Sequence, residues 1–140
     1  MEEHENLEQI HKYVSHSKTY LKNAELLSKK KEFHKAGEML WGSIALLLKA
    51  IGLIYDRPTG NHKQLIKLAQ HIYIITNDVD LRNGIKQYGE ALHSNFYQHF
   101  IDEEGFYKHR TPVIESYNKL FQILNDALGE KLKVKSEYKD

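Results

Sequence analysis

At 140 residues and 16.4 kDa, with 41% apolar and 28% charged residues, the chain has the size and balance of one soluble domain around a single core. Twenty basic against 19 acidic side chains leave a formal charge of +1, which argues against a strongly electrostatic nucleic-acid coat. There is no cysteine, so disulfides, thiolate nucleophiles and cysteine-ligated zinc are excluded, and the composition is compatible with a cytoplasmic protein.

The first residues, MEEHENLEQ, are acidic and polar, unlike a secretory signal. Leu7, Ile10, Val14, Leu21, Ala24 and Leu27 or Ser28 then recur at three- and four-residue steps, widened by Tyr13 and Tyr20. This spacing predicts a helix from about residue 3 to 30 with one apolar stripe, ended by a turn near Lys31. A second helix is expected from about Phe33 to Tyr55. Its wide apolar face carries Phe33, Leu40, Trp41, Ile44, Leu47, Leu48, Ile51 and Tyr55, opposite a narrow strip of Lys35, Glu38 and Lys49. Lys49 and the length of the run, shorter than the ~20 residues of a membrane span, make it a buried bundle helix with no membrane role. Leu46 and Leu53, beside the polar strip, call for a second contact: a subunit interface or a covering fifth helix.

DRPTGNH, residues 56–62, reads as a loop, because Pro58 stops a helix and Gly60-Asn61 turns the chain. PTGNHK also offers a helix start whose free N–H groups could hold an anion. A shorter helix follows, with Leu65, Ile66, Ala69, Ile72 and Tyr73 inward. Thr76, Asn77 and Asp78 are candidate caps of the next helix, which carries Leu81, Ile85, Tyr88, Leu92, Phe96 and Phe100 at helical spacing. DEEGFYKHR is taken as a loop, with Thr111-Pro112 starting a last helix that buries Ile114, Tyr117, Leu120 or Phe121, Leu124 and Leu128 and ends at Gly129. The pattern is all-α: a bundle over residues 1–130 followed by a polar tail over residues 131–140.

EALHSNFYQHF, residues 90–100, concentrates the chemistry. On an unbroken helix Leu92, Phe96, His99 and Phe100 share the core stripe. His93 falls on one flank with Arg82, Lys86, Glu90 and Tyr97, and Asn95 falls on the other with Tyr88, Ala91 and His99. The bland alternative makes these boundary residues bonded to neighbours. The sharper one makes the Arg82–Lys86–His93–Tyr97 ridge a phosphate or base contact, its guanidinium suited to phosphate and its phenol to stacking. Nine histidines include no i, i+4 pair beside a carboxylate, so no metal site and no cofactor are expected. No serine elbow or strand-linked Gly-rich loop occurs. Lys29-Lys30-Lys31 and Lys131, Lys133 and Lys135 are ordinary solvated charge runs, or a modest anion-attracting edge if they meet.

Three segments, KAGEMLWGSIALLLKAIG (residues 35–52), PTGNHKQLIKLA (58–69) and ALHSNFYQHF (91–100), together resemble the archaeal PaREP family of the helical HEPN superfamily, over roughly residues 15 to 128. LHSNFY is the most specific part. The resemblance implies an antiparallel, up-and-down, HEPN-like bundle of four to five helices, usually dimeric, and many relatives in that superfamily are RNases or nucleotide-associated partners of small nucleotidyltransferases. Their RNase motif pairs an arginine, often followed by asparagine, with a histidine a few residues on. Here Asn95 and His99 stand in comparable places, but Ser94 occupies the arginine position. A serine brings no fixed charge to a transferred phosphate, and losing such a group costs orders of magnitude in rate. Arg82 lies too far upstream of His93 to replace it, and Arg57 to His62 has the spacing but spans a loop.

The expectation is therefore a non-enzymatic, cytoplasmic homodimer that binds a nucleotide or RNA, with a nucleotidyltransferase-type protein as a possible partner. Its ligand-facing candidates are Arg82, Lys86, His93, Asn95, Tyr97 and His99. The alternative is a metal-independent RNase that uses His93 or His99 with Arg57 or Arg82 across a dimer. A repeat-type peptide scaffold, suggested by the hairpin around KEFHKAGEMLW, lacks a second copy at a period of about 34 residues.

Overall fold

The computed structural model describes residues 3–132, and the side chains of residues 6–129. Helices α1 (Glu3–Lys29), α2 (Phe33–Tyr55) and α3 (His62–Thr76) are followed by a rod of three parts: α4 (Val79–Asn83), a π-helical segment (Gly84–Gly89) and α5 (Glu90–Gln98). Helix α6 (Glu103–Leu132) completes the chain.

Helix α2 is central because it is apolar nearly all round. Leu40, Ile44, Leu47, Leu48, Ala50 and Ile51 are buried completely or nearly so, while α1, the rod and α6 pack around them. It is long and apolar enough to cross a membrane by length and composition, but more than half of that stretch is buried inside the bundle. Leu53 and Leu46 are half-buried, and Leu53 packs against the core.

Residue pairs give the helix directions. Glu25 meets Arg110 and Ser28 meets Tyr107, so α6 runs antiparallel to α1. His34 meets Asn95 and Glu38 meets His93, so the rod runs antiparallel to α2. Leu81 meets Ser116 and Tyr88 meets His109, so α6 returns along the rod. With the α1–α2 hairpin these make a four-helix up-and-down bundle. Helix α3 is the addition. The loop over residues 56–61 folds back along α2, held by the Lys49 ammonium donating to the Thr59 carbonyl (3.0 Å). His62 thereby reaches Trp41, and His71 reaches Tyr55.

Local chemistry fixes the helix ends. Lys31, at φ 62°, turns the chain between α1 and α2. Asn61 caps α3 by accepting from the Gln64 N–H (2.9 Å), and the Gln64 side chain accepts from the Gly60 N–H (2.6 Å). These N–H groups are therefore taken and unavailable to an anion. Asp78 caps α4, while Asn77 closes α3 in the left-handed conformation. Backbone geometry turns non-helical at Gly129, φ 51°, as anticipated.

Three expectations are corrected. DEEGFYKHR is helix from its second residue on, not loop. Asp102 accepts from the Gly105 N–H (2.8 Å) and Glu103 and Glu104 fill the first turn, so α6 starts eight residues before Thr111. Pro112 consequently sits inside α6. An interior proline costs about 3 kcal/mol. Burying Phe106, 1% exposed against Phe33, returns roughly 2–3 kcal/mol and holds the extra turns in place.

Second, the fourth helix is not one α-helix, because the π segment adds a residue to its winding. Its first glycine meets α6 backbone to side chain: a Cβ on Gly84 would lie 1.8 Å from Ser116 Oγ and 2.7 Å from the Pro112 carbonyl oxygen. Third, α5 ends at Gln98 with His99 left-handed (φ 53°), so His99 and Phe100 leave the core stripe and stand exposed. Ile101 is buried in their place, and Asn95, assigned to a flank, is 2% exposed. The tail beyond residue 132, and the side chains of His4, Lys131, Lys133 and Lys135, lie outside the described residues.

Candidate functional site

Two clusters flank α5, and both take their second element from the first half of α2. In the first, His93 Nδ1–H donates to Glu38 (2.8 Å) and His62 Nε2–H donates to Glu90. The two imidazoles stack with centroids 5.7 Å apart and planes 19° from parallel. Each lies against Trp41, at 5.4 Å for His62 and 5.7 Å for His93, and Tyr97 sets its edge on His93. Glycine at 89 permits this packing, since a Cβ there would stand 3.0 Å from the indole. The four polar side chains keep between a quarter and a half of their surface in solvent. Each histidine is thus oriented by a carboxylate through one nitrogen while the other has no partner among the described residues, the arrangement that suits acid–base exchange or ligation. Among the described residues, no group of three or more His, Asp and Glu is placed to hold a metal ion.

The second cluster lines a cleft of about 490 Å³ between the start of α2 and the α5–α6 corner. Asn95 organises it. Its Oδ1 accepts from the Ile101 N–H (2.7 Å), which fixes the amide's orientation and turns Nδ2 toward His34 Nδ1 at 3.0 Å. His34 stacks on His99 with centroids 3.9 Å apart and planes 14° from parallel. His99 Nε2–H donates to the Phe96 carbonyl (3.1 Å). Phe33, Phe96 and Ile101 form apolar walls, and Lys31, Lys35, Glu32, Asp102 and Glu103 form the rim.

The anticipated ligand residues are therefore divided. His93 and Tyr97 belong to the first cluster, Asn95 and His99 to the second. The imidazoles of His93 and His99 do not converge. Arg82 lies with its guanidinium 4.3 Å over the Tyr73 ring, and Lys86 is exposed on the π segment. No hydrogen bond, ion pair or ring contact joins either to His93 among the described residues. The Arg82–Lys86–His93–Tyr97 ridge holds only on an unbroken α-helix; the added residue turns α5 by about 100° relative to α4. Ser94 is exposed, and among the described residues no arginine lines the cleft.

Glu38, Trp41 and His62 in one cluster, and His34 in the other, escape a sequence reading. His62 pairs across 28 residues and Glu38 across 55, distances at which helical spacing carries no signal. Asn61, the residue before α3, is read from the sequence only as part of a turn, and His62 one place on carries no sign of its partner.

No curated protein and no solved structure gave a significant match to the chain. The family model described as the Archaeal PaREP1/PaREP8 family matches residues 12–116, most of the sequence and both clusters; the chain is a member of that family.

Proposed function

We propose that this PaREP protein is a non-catalytic, HEPN-like, cytoplasmic bundle that binds a nucleotide-type ligand in the cleft at the α5–α6 corner and acts as a homodimer. The observation that carries it is the His34–His99 stack in a cleft also lined by Phe33 and Phe96, because stacked flat rings in a partly enclosed cleft favour a flat aromatic ligand. Against catalysis stand Ser94, which supplies no charge, and Asn95, whose amide is spent on holding the corner. The apolar residues Ile74, Ile75 and Val79 are exposed together at the α3–α4 corner, which supports self-association.

Titrating nucleosides and nucleotides into the purified protein tests the ligand. Saturable binding lost in His99→Ala is expected, and no heat or spectral change with any of them would refute it. Light scattering after size exclusion tests the dimer, with twice 16.4 kDa expected. A nucleotidyltransferase-type partner follows from the HEPN likeness, and co-purification with such a protein tests it.

A metal-independent RNase is the second reading, favoured by the His62–Glu90 and His93–Glu38 pairs. Cleavage of mixed RNA in chelator, abolished by His93→Ala with helicity retained, would replace the binding role with this one.

A further inference from the structure

The tautomers of the two cleft histidines follow from their partners. A backbone N–H can only donate, so the Ile101 N–H assigns Asn95 Oδ1 as acceptor and Asn95 Nδ2 as donor. His34 Nδ1 must then accept, and the neutral ring carries its hydrogen on Nε2. The Phe96 carbonyl can only accept, so His99 carries hydrogen on Nε2, and Nδ1 is the acceptor of its neutral ring. The stacked pair thus has one donor, His34 Nε2–H, and one acceptor, His99 Nδ1, on adjacent layers of the same cleft. Rim charge does not favour an anion. Glu32, Asp102 and Glu103 face Lys31 and Lys35, and Lys35 is already paired with Glu32 at 3.1 Å.

We infer that the His34–His99 pair recognises the neutral, hydrogen-bonding edge of a flat heterocycle, and not a phosphate, with Asn95 as the positioning residue that sets the donor. The inference rests on the nucleotide reading above and narrows it to the base. A nucleobase edge offers an acceptor beside a donor, as N7 and N6 of adenine do, and complements one donor and one acceptor. A fully ionised phosphate ester offers acceptors alone, so it would satisfy His34 and leave His99 Nδ1 facing a like lone pair.

The probes are adenosine, adenosine triphosphate and inorganic phosphate, titrated into the full chain, with nitrogen-15 NMR of the histidine rings read alongside. The expected result is adenosine and its triphosphate binding within about threefold of each other, with phosphate alone giving no change. The His34 signals should show hydrogen on Nε2 before ligand is added. In Asn95→Asp the carboxylate still accepts from Ile101 but cannot donate to His34, so the hydrogen should move to Nδ1 and adenosine affinity should fall about tenfold or more. Hydrogen on Nδ1 in the wild-type protein overturns the inference whatever the variant does. Triphosphate binding more than about tenfold tighter than adenosine overturns it and leaves the nucleotide reading standing. Failure of every nucleoside and nucleotide to bind overturns both.

Discussion

Asp78 and Lys119 are joined at 2.9 Å, fastening the start of the rod to the middle of α6, and the same Asp78 carboxylate accepts from the Leu81 N–H at 3.0 Å. The Leu81 N–H, with Lys119 next, holds the Asp78 carboxyl below its ordinary value of 3.8, and the carboxylate in turn raises the Lys119 ammonium. A depressed carboxylate stabilises the fold above its unfolded value and loses that contribution as pH falls through the folded one. Melts at descending pH should therefore lose stability below about pH 4, with less of this acid loss in Asp78→Asn. Both side chains are partly exposed, so Lys119→Met should cost only about 0–1 kcal/mol, while Asp78→Ala, which also removes the cap, should cost about 1–2.

Gly84→Ala sets two effects against each other. Alanine gains about 1 kcal/mol of helix propensity over glycine. Its Cβ would meet Ser116 Oγ and the Pro112 carbonyl, and the carbonyl belongs to a backbone that cannot step aside. Overpacking of this kind costs roughly 1–3 kcal/mol, so urea titration should show net destabilisation. Adding Ser116→Ala should not restore wild-type stability, because the carbonyl contact remains.

Asn95→Ala strands the buried Ile101 N–H and removes the donor to His34. An unsatisfied buried group costs about 1–3 kcal/mol, so a loss of that order is expected in denaturant titration. The neighbouring Ser94→Ala, on the exposed side, should stay within about 0.5 kcal/mol of the parent. Equal effects at the two positions would contradict the clamp role of Asn95.

Trp41 is the only tryptophan, so its fluorescence reports the first cluster alone. It is 5% exposed, covered in part by His62 and His93. His93→Ala and His62→Ala should each shift its emission to longer wavelength by admitting water. His99→Ala, in the other cluster, should leave the spectrum unchanged.

Periodicity located α1, α2 and α3 well, since the apolar repeats and the candidate cap at Asp78 are local features. It failed where the period itself changes. An apolar stripe projected across the π segment brings Arg82 beside His93, and one projected past Gln98 brings Phe100 into the core, and neither is so. The start of α6 is marked in the sequence by Asp102-Glu103-Glu104, a signal that competes with the later Thr111-Pro112 start. Of the candidate site residues, His93, Asn95, Tyr97 and His99 fall in the two clusters. Their partners on α2 and α3 come from tertiary packing, which no local pattern encodes.

The π segment also makes the rod sensitive to chain length in an unusual way. Removing one residue between Gly84 and Gly89 would let an ordinary α-helix run through, at little loss of helical content. That shortening would swing His93 away from Glu38 and Asn95 away from His34 together. A single-codon deletion there should thus leave a helical protein with both imidazole clusters dismantled, a sharper lesion than most substitutions could produce.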